Sequence, residues 1–353
     1  MLRSFRYLLL PFSLVYGGAV WLRNWLYDKN IFKSSAFNFP VICVGNLAVG
    51  GTGKTPMVEY LIRLLKNDLN TATLSRGYKR KTEGFAIAGD TTTALEIGDE
   101  PMQFHQKFPD ITVAVGEERL VAIPQLLHDR PATQVIILDD ALQHREVRAG
   151  MNILLTDYKN LYTRDLMLPA GDLRDIRRSS KRAHIIIVTK CKAGLSEPER
   201  DAIIREIGPA AGQKVYFTLI TYGTPYHLFT EEEVGINPEM DILLLCGIAN
   251  PGPIKEFLTE QVHTFDMLRF PDHHIFNSDD LEEIKRQFAK VKKGKRIILT
   301  TEKDAVRLLK FENELADLPI YAVPIQHSFL FDQARSFEED ITGFVTRFEK
   351  IIQ

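Results

Sequence analysis

The segment Gly45-Asn46-Leu47-Ala48-Val49-Gly50-Gly51-Thr52-Gly53-Lys54-Thr55-Pro56 places a lysine and a threonine directly behind closely spaced glycines. Glycines let successive backbone N–H groups turn toward an anion, and a helix beginning there adds its positive end. An ammonium and a hydroxyl then complete a cradle for polyphosphate. Val49, Gly50, Gly51, Thr52, Gly53, Lys54 and Thr55 are therefore the candidate nucleotide-binding residues. Lys54 is positioned for the β and γ phosphates and for phosphoryl transfer, and the Thr55 hydroxyl for Mg2+. The usual pattern has a glycine where this chain has Ala48, and Gly50 and Gly51 compensate within the loop.

Such a loop needs a carboxylate for the metal at the end of a neighbouring buried strand. Val135-Ile136-Ile137-Leu138-Asp139-Asp140 supplies two, at the strand edge where ligands of open α/β sheets collect. Asp139 and Asp140 are the candidate Mg2+ ligands with Thr55, and the residues leave open which of the two touches the ion. Thr189-Lys190-Cys191-Lys192 begins like a guanine-reading segment but has Lys192 where the base-reading aspartate belongs, which favours ATP over GTP.

A transferred phosphoryl group needs an acceptor that loses a proton. Asp99, in Gly98-Asp99-Glu100-Pro101, and His273 or His274, in Phe270-Pro271-Asp272-His273-His274, are the acid and histidine candidates outside the metal site. An aspartate before a helix also serves as a cap, and paired loop histidines also occur merely solvated. Two basic loops, Arg76-Gly77-Tyr78-Lys79-Arg80-Lys81 and Arg174 through Arg182, suit an anionic acceptor or an anionic membrane surface. Arg119 has two equal readings, a phosphate contact or a partner for a nearby glutamate.

The elements that must carry these residues follow from the pattern. Apolar runs rich in Val and Ile at 38–44, 71–75, 111–115, 152–156 and 185–189 alternate with helical stretches, so the spacing predicts an α/β fold. It is a P-loop NTPase-like, doubly wound, mostly parallel sheet with a second, smaller α/β domain. The expected division is a membrane-associated amino-terminal helix over 1–33 and a core domain over 34–213. A two-stranded connector over 214–232 and a closing domain over 233–353 complete it.

With 353 residues, 44 Lys and Arg against 46 Asp and Glu, and a net charge of −2, the chain lacks the global basic excess of a nucleic-acid-binding protein. Cys43, Cys191 and Cys246 are three in number, far apart and set in apolar runs, so they read as buried thiols of a reducing compartment without zinc spacing. Between Arg6 and Arg23 lies an uncharged run that as a helix spans roughly 24 Å, short of the roughly 30 Å of a bilayer core. A secretory signal is opposed by the missing small-x-small site and by the nearness of the phosphate loop. Leu2, Phe5, Leu9, Phe12, Tyr16 and Val20 form the expected apolar stripe, with Trp21, Arg23, Trp25 and Lys29 as headgroup anchors of a monotopic helix. Packing of the same helix on the domain's own core is the alternative.

The phosphate loop, Ser75-Arg76-Gly77-Tyr78, Gly98-Asp99-Glu100-Pro101, Asp139-Asp140-Ala141-Leu142-Gln143-His144-Arg145, Leu168-Pro169-Ala170-Gly171-Asp172-Leu173-Arg174 and Asp272-His273-His274 together resemble the tetraacyldisaccharide 4'-kinase family of Gram-negative lipid A synthesis. The resemblance implies an ATP- and Mg2+-dependent kinase on the cytoplasmic face of the inner membrane. Its acceptor would be the 4'-hydroxyl of an acylated glucosamine disaccharide 1-phosphate, with anionic lipid contact, no nucleic acid and no obligate protein partner. It implies Asp99 paired with His273 as the base, and Arg76, Tyr78, Gln143, His144, Arg174, Asp175 and His274 as candidates for holding the acceptor. Ala141-Leu142 replaces the family's Gly-Phe, and Asp175 replaces a longer glutamate. The rival reading is a membrane-surface P-loop ATPase switch of the ParA or MinD kind. Those proteins carry an early loop lysine where this chain has Val49, and need no Asp-His-His cluster.

Overall fold

The computed structural model describes residues 6–291 and 294–352. Helix α1 (Leu10–Asp28) leads into strand β1 (Val41–Asn46), whose six residues are all buried. The phosphate loop follows, and then helix α2 (Lys54–Leu65). Next along the chain are β2 (Thr71–Ser75), the short β3 (Ala86–Ile87), α3 (Asp99–Lys107), β4 (Thr112–Val115), α4 (Arg119–Asp129), β5 (Val135–Asp139), β6 (Met151–Asp157), β7 (Ile185–Thr189), α5 (Glu197–Ile207) and β8 (Lys214–Tyr222). The remaining elements are β9 (Tyr226–His227), β10 (Asp241–Cys246), α6 (Gly252–Gln261), β11 (Phe265–Arg269), α7 (Ser278–Lys290), β12 (Arg296–Thr301), α8 (Glu302–Leu308), β13 (Ile320–Val323), β14 (Ile325–Phe329) and α9 (Ala334–Ile352).

Nine strands form the larger sheet in the order β14-β8-β7-β6-β1-β5-β2-β4-β3, parallel except at its two antiparallel edges. Central strands buried on both faces need the unbroken Val/Ile/Leu runs found here, which is why the apolar runs located them. Helix pairs bury both faces: Leu61, Ile62 and Leu65 of α2 on one side, Ile123 and Leu126 of α4 on the other. The smaller sheet has the order β9-β13-β12-β10-β11, parallel except for β9, with Ile254 and Leu258 of α6 on one face and Leu281, Ile284 and Phe288 of α7 on the other.

The path between the lobes differs from the expected connector over 214–232. Residues 214–222 are not one arm of a hairpin with 226–229; β8 joins the larger sheet parallel to β7, and its other edge is filled by β14 from near the end of the chain. The short β9 instead pairs with β13 of the smaller sheet. The closing domain likewise does not run from 233 to 353, because α9 returns Phe337, Ile341, Phe344 and Val345 to the core beneath α2. The physical reason is edge protection: β8 would otherwise present an unpaired edge, and β14 covers it.

Helix α1 lies on the first lobe with its small polar residues inward. Ser13 and Asn24 are its buried side chains, while Leu8, Phe12, Leu14, Val15 and Trp21 are more than half exposed. Ser13 Oγ accepts from the Ala170 N–H at 2.9 Å, and Asn24 Nδ2 donates to Asp175 Oδ1 at 2.7 Å. The expected stripe therefore splits: Leu9 and Phe12 face out, Tyr16 and Val20 are half-buried, and Leu2 and Phe5 lie outside the described residues. Among the described residues no helix is long and apolar enough to cross a membrane. The three cysteines are buried free thiols.

Candidate functional site

The phosphate loop joins the end of β1 to the start of α2. Gly53, with φ of +87°, is the residue before the helix, and a side chain there would meet the His327 ring at 3.0 Å. Gly50 also needs its positive φ of +104°. The loop is pinned from below by Asn46, whose Nδ2 donates to Thr52 Oγ1 at 3.0 Å. Thr189 Oγ1 donates to the Thr52 carbonyl at 2.8 Å, and the Val49 N–H donates to the Asp172 carbonyl at 2.8 Å. Lys190 donates to the Gly51 carbonyl and pairs with Asp157 at 3.0 Å. Lys54 and Thr55 begin the helix, and Lys54 Nζ stands 3.8 Å from Asp140 Oδ1.

The two strand-end carboxylates have separate surroundings. Asp140, in a left-handed conformation (φ +51°), accepts from both terminal nitrogens of Arg174 and is held ionised by Lys54 and Arg174 against the cost of burial. Asp139 is buried, its Oδ1 has no partner, and desolvation followed by the charge of Asp140 pushes its carboxyl up to about 7. A buried oxygen without a partner is costly unless something fills the position.

Asp99 opens α3, and His273 sits on the loop before α7 in a left-handed conformation (φ +59°). Across the cleft His273 Nδ1 lies 2.8 Å from Asp99 Oδ2. Arg307 of α8 donates to the same carboxylate, Nε to Oδ1 at 3.0 Å and Nη2 to Oδ2 at 2.5 Å. Burial alone would raise Asp99, but the His273 and Arg307 hydrogen bonds and the guanidinium charge outweigh it and bring the carboxyl down to about 2. Tyr78 sets its ring edge-on to His273, with centroids 5.7 Å apart.

Among the other candidates, Gln143 donates from Nε2 to the Asn46 carbonyl at 2.9 Å beside Arg174. His144 faces Glu146 at 3.2 Å and is kept neutral by burial and by the charge of Arg119. Arg76 and Tyr78 are exposed on the loop after β2, lining a cleft of about 690 Å3 with Lys79 and Arg80. Two candidates are not brought to the site. Asp175 points away from it, buried among Asn24, Ser179 and Arg182, where it anchors α1; a carboxylate one methylene shorter than glutamate suits that close packing. His274 turns from the cleft, donating from Nε2 to Asp280 Oδ2 of the α7 cap at 2.8 Å and stacking on Phe270, because adjacent residues of the turn face opposite ways. Arg119 is fully buried and donates to the Gly116 and Glu117 carbonyls.

Sequence reasoning did not single out Arg307, Lys303 or His327. His327 lies on β14, more than 270 residues from the loop it supports, and no local pattern signals it. Arg307 and Lys303 lie in Thr301-Glu302-Lys303-Asp304-Ala305-Val306-Arg307, whose run of charges at helical spacing was the available signal. A second polar seam joins the lobes further back: Lys107 of α3 donates to Glu59 of α2 at 2.7 Å and to Glu302 of α8. Gln103 adds a bond to Glu59 at 2.7 Å. Desolvation and then the charge of Glu59 push Glu302 up, which marks the two carboxylates as sharing one ammonium.

A sequence profile described as tetraacyldisaccharide-1-P 4'-kinase matches residues 5–346. The chain belongs to this family. It is 46% identical over 347 residues to the tetraacyldisaccharide 4'-kinase of Phocaeicola vulgatus, covering 96% of this chain and 95% of that one. It is 48% identical over 330 residues to that of Flavobacterium johnsoniae, covering 93% and 95%. Among solved structures it is similar to LpxK from Aquifex aeolicus in complex with ATP, with a TM-score of 0.77, 29% identity and 99% of both chains covered. The architecture of a tetraacyldisaccharide-1-P 4'-kinase thus extends over this whole chain, including the return of β14 and α9 to the first lobe.

Proposed function

We infer that this protein is a kinase that transfers the γ-phosphate of ATP to the 4'-hydroxyl of tetraacyldisaccharide 1-phosphate in lipid A biosynthesis. The observation that carries the reading is the pairing of Asp99 with His273 across the cleft, 2.8 Å apart, in front of a phosphate loop. Family membership over residues 5–346 names the acceptor. A ParA- or MinD-like switch has no use for such a cross-lobe pair.

The backbone of Val49–Gly53 and the ammonium of Lys54 bind the phosphates, and Asn46 fixes the loop geometry. The donor set fits Mg2+, a hard ion that takes a hydroxyl, one or two carboxylates and substrate phosphates. Thr55 and the unpartnered Oδ1 of Asp139 would hold it, and Asp140, tied by Arg174, lies next to them. When bound, the ion neutralises charge on the β and γ phosphates.

The Asp99–His273 dyad takes the proton of the 4'-hydroxyl as that oxygen bonds to Pγ and the Pγ–O bond to ADP breaks. The second lobe supplies His273 and Arg307, so lobe closure assembles the dyad and excludes water together. The exposed Leu8, Phe12, Leu14, Val15 and Trp21 of the amino-terminal region suit a helix lying in the headgroup layer of the inner membrane's cytoplasmic face, where an acylated substrate resides.

The test is transfer of labelled γ-phosphate from ATP to a detergent-dispersed acylated disaccharide 1-phosphate. Labelled lipid from the wild type, lost in Asp99→Ala and His273→Ala with ATP binding retained, supports the reading. ATP hydrolysis without labelled lipid overturns it.

A further inference from the structure

The His273 ring is held at both nitrogens, and its second contact is on none of the motifs that mark the site. Nδ1 lies 2.8 Å from Asp99 Oδ2, and Nε2 lies 3.0 Å from the Nζ of Lys303, on the first turn of α8. Lys303 is a quarter exposed, stands 3.5 Å from Asp272 Oδ1 and 3.9 Å from Glu100 Oε1, and serves no other hydrogen bond among the described residues. The groups facing the ring are Asp99 and Glu100 of α3, Lys303 and Arg307 of α8, Asp272 of its own loop and the Tyr78 ring.

An ammonium has donors and no acceptor, whereas a carboxylate has acceptors and no donor. A neutral imidazole between them satisfies both only with its proton on Nδ1 and its lone pair on Nε2. The opposite tautomer would set Nε2–H against an ammonium and leave Asp99 without that donor. Arg307 Nη2 also lies within hydrogen-bond distance of Nδ1, at 3.3 Å, and as a donor would favour the opposite tautomer, but that contact is longer than the 2.8 Å from Nδ1 to Asp99, and the same guanidinium nitrogen bonds Asp99 Oδ2 at 2.5 Å. We propose that Lys303 is a positioning residue for the phosphoryl transfer: its ammonium fixes His273 in the Nδ1–H tautomer toward Asp99 and so reserves the Nε2 lone pair for the acceptor hydroxyl.

The proposal rests on the kinase reading for its purpose but not for its geometry. In the opposite tautomer Nε2 carries the hydrogen and offers no lone pair to a hydroxyl on that side of the ring. As the acceptor enters, the ammonium gives up Nε2, with Asp272 and Glu100 already within reach to receive it. The proton from the hydroxyl then has a vacant lone pair on the dyad.

The experiment is 15N NMR of the histidine-labelled full chain without ATP or lipid, with the His273 signals assigned by their loss in His273→Gln. The wild type and Lys303→Arg should show the Nδ1–H tautomer at neutral pH. Lys303→Met, and Lys303→Gln as a second neutral variant, should show mixed tautomers. In the kinase assay kcat should fall by roughly tenfold in Lys303→Met and recover in Lys303→Arg. An unchanged tautomer in both neutral variants would overturn the proposal, even with kcat reduced. The expected NMR pattern in a chain that makes no labelled lipid would support the inference while the kinase reading failed.

Discussion

His327 donates from Nε2 to the Gly53 carbonyl at 2.8 Å and accepts at Nδ1 from the Thr218 hydroxyl at 2.9 Å. A carbonyl only accepts, so Nε2 carries a hydrogen, and burial keeps the ring neutral with Nδ1 as the acceptor. The second-to-last element of the chain thereby braces the residue on which the phosphate loop turns into its helix.

Removal of that brace should weaken fold and nucleotide binding together. His327→Ala leaves the Gly53 carbonyl and Thr218 hydroxyl without partners and opens a cavity, at a cost of about 2–4 kcal/mol. Urea titration should show the loss, and the KM for ATP should rise several-fold. Burial holds His327 down at about 4, well below the roughly 6.5 of an unfolded histidine. The unfolded chain thus binds the proton first on acidification, and stability should fall from pH 6.5 toward pH 4 by of order 3 kcal/mol. His327→Gln should flatten that interval; an equal slope in the variant would refute the assignment.

Asp99→Asn and His273→Gln should each lower kcat by roughly 10²- to 10⁴-fold, the range of general acid–base contributions, with ATP affinity changed only slightly. Single-turnover transfer beside equilibrium ATP binding separates the two effects. Asp99 also supports the fold: its carboxyl, lowered to about 2, contributes stability above the unfolded value near 4 that disappears as pH falls toward 2.

Asp139 and Asp140 should part under substitution. Asp139→Asn removes the buried carboxylate whose oxygen has no protein partner, so the Mg2+ concentration for half-maximal rate should rise by at least about tenfold, in line with the loss of a directly bound ligand. Asp140→Asn frees Arg174 and neutralises the partner of Lys54, and should act more on ATP KM than on the Mg2+ requirement. Metal titration at saturating ATP distinguishes them.

Lys107→Met should destabilise the joint between the lobes, because Glu59 and Glu302 would share a buried site without their ammonium. Breaking a buried pair costs about 3–5 kcal/mol, and the partial exposure of Lys107 places the effect at or below the lower end. Adding Glu302→Gln should restore part of it in a thermal melt; a double variant no more stable than Lys107→Met would contradict the shared-ammonium account.

Replacing Leu14 and Val15 by Glu should leave the melting temperature nearly unchanged, since both are about three-quarters exposed. Co-flotation with vesicles containing anionic lipid should fall sharply. Unchanged flotation would remove α1 from the membrane contact.

The parts of the molecule legible in the sequence are those specified locally. The phosphate loop, the strand ending in Asp139-Asp140 and the Asp99–His273 pair each carry a short pattern or belong to a recognisable set of motifs. The path of residues 325–352 was not legible, because pairing of β14 with β8 is fixed by which sheet edge lies open, a property of the assembled sheet. The inward face of α1 was not legible for a related reason: Ser13 and Asn24 turn to the protein because hydrogen-bond partners wait there, in Ala170 and Asp175, while the apolar side chains find none. His274 failed as a candidate because residue type alone does not tell which way each member of a turn points.

The return of β14 and α9 to the first lobe also sets an order of events on the ribosome. The first lobe cannot complete its edge strand, its core helix or the His327 support of its nucleotide loop until residues 325–352 have been translated, by which time the whole second lobe exists. The nascent chain therefore acquires a finished ATP site only after the second lobe has been translated, when the partner half of the dyad is already present.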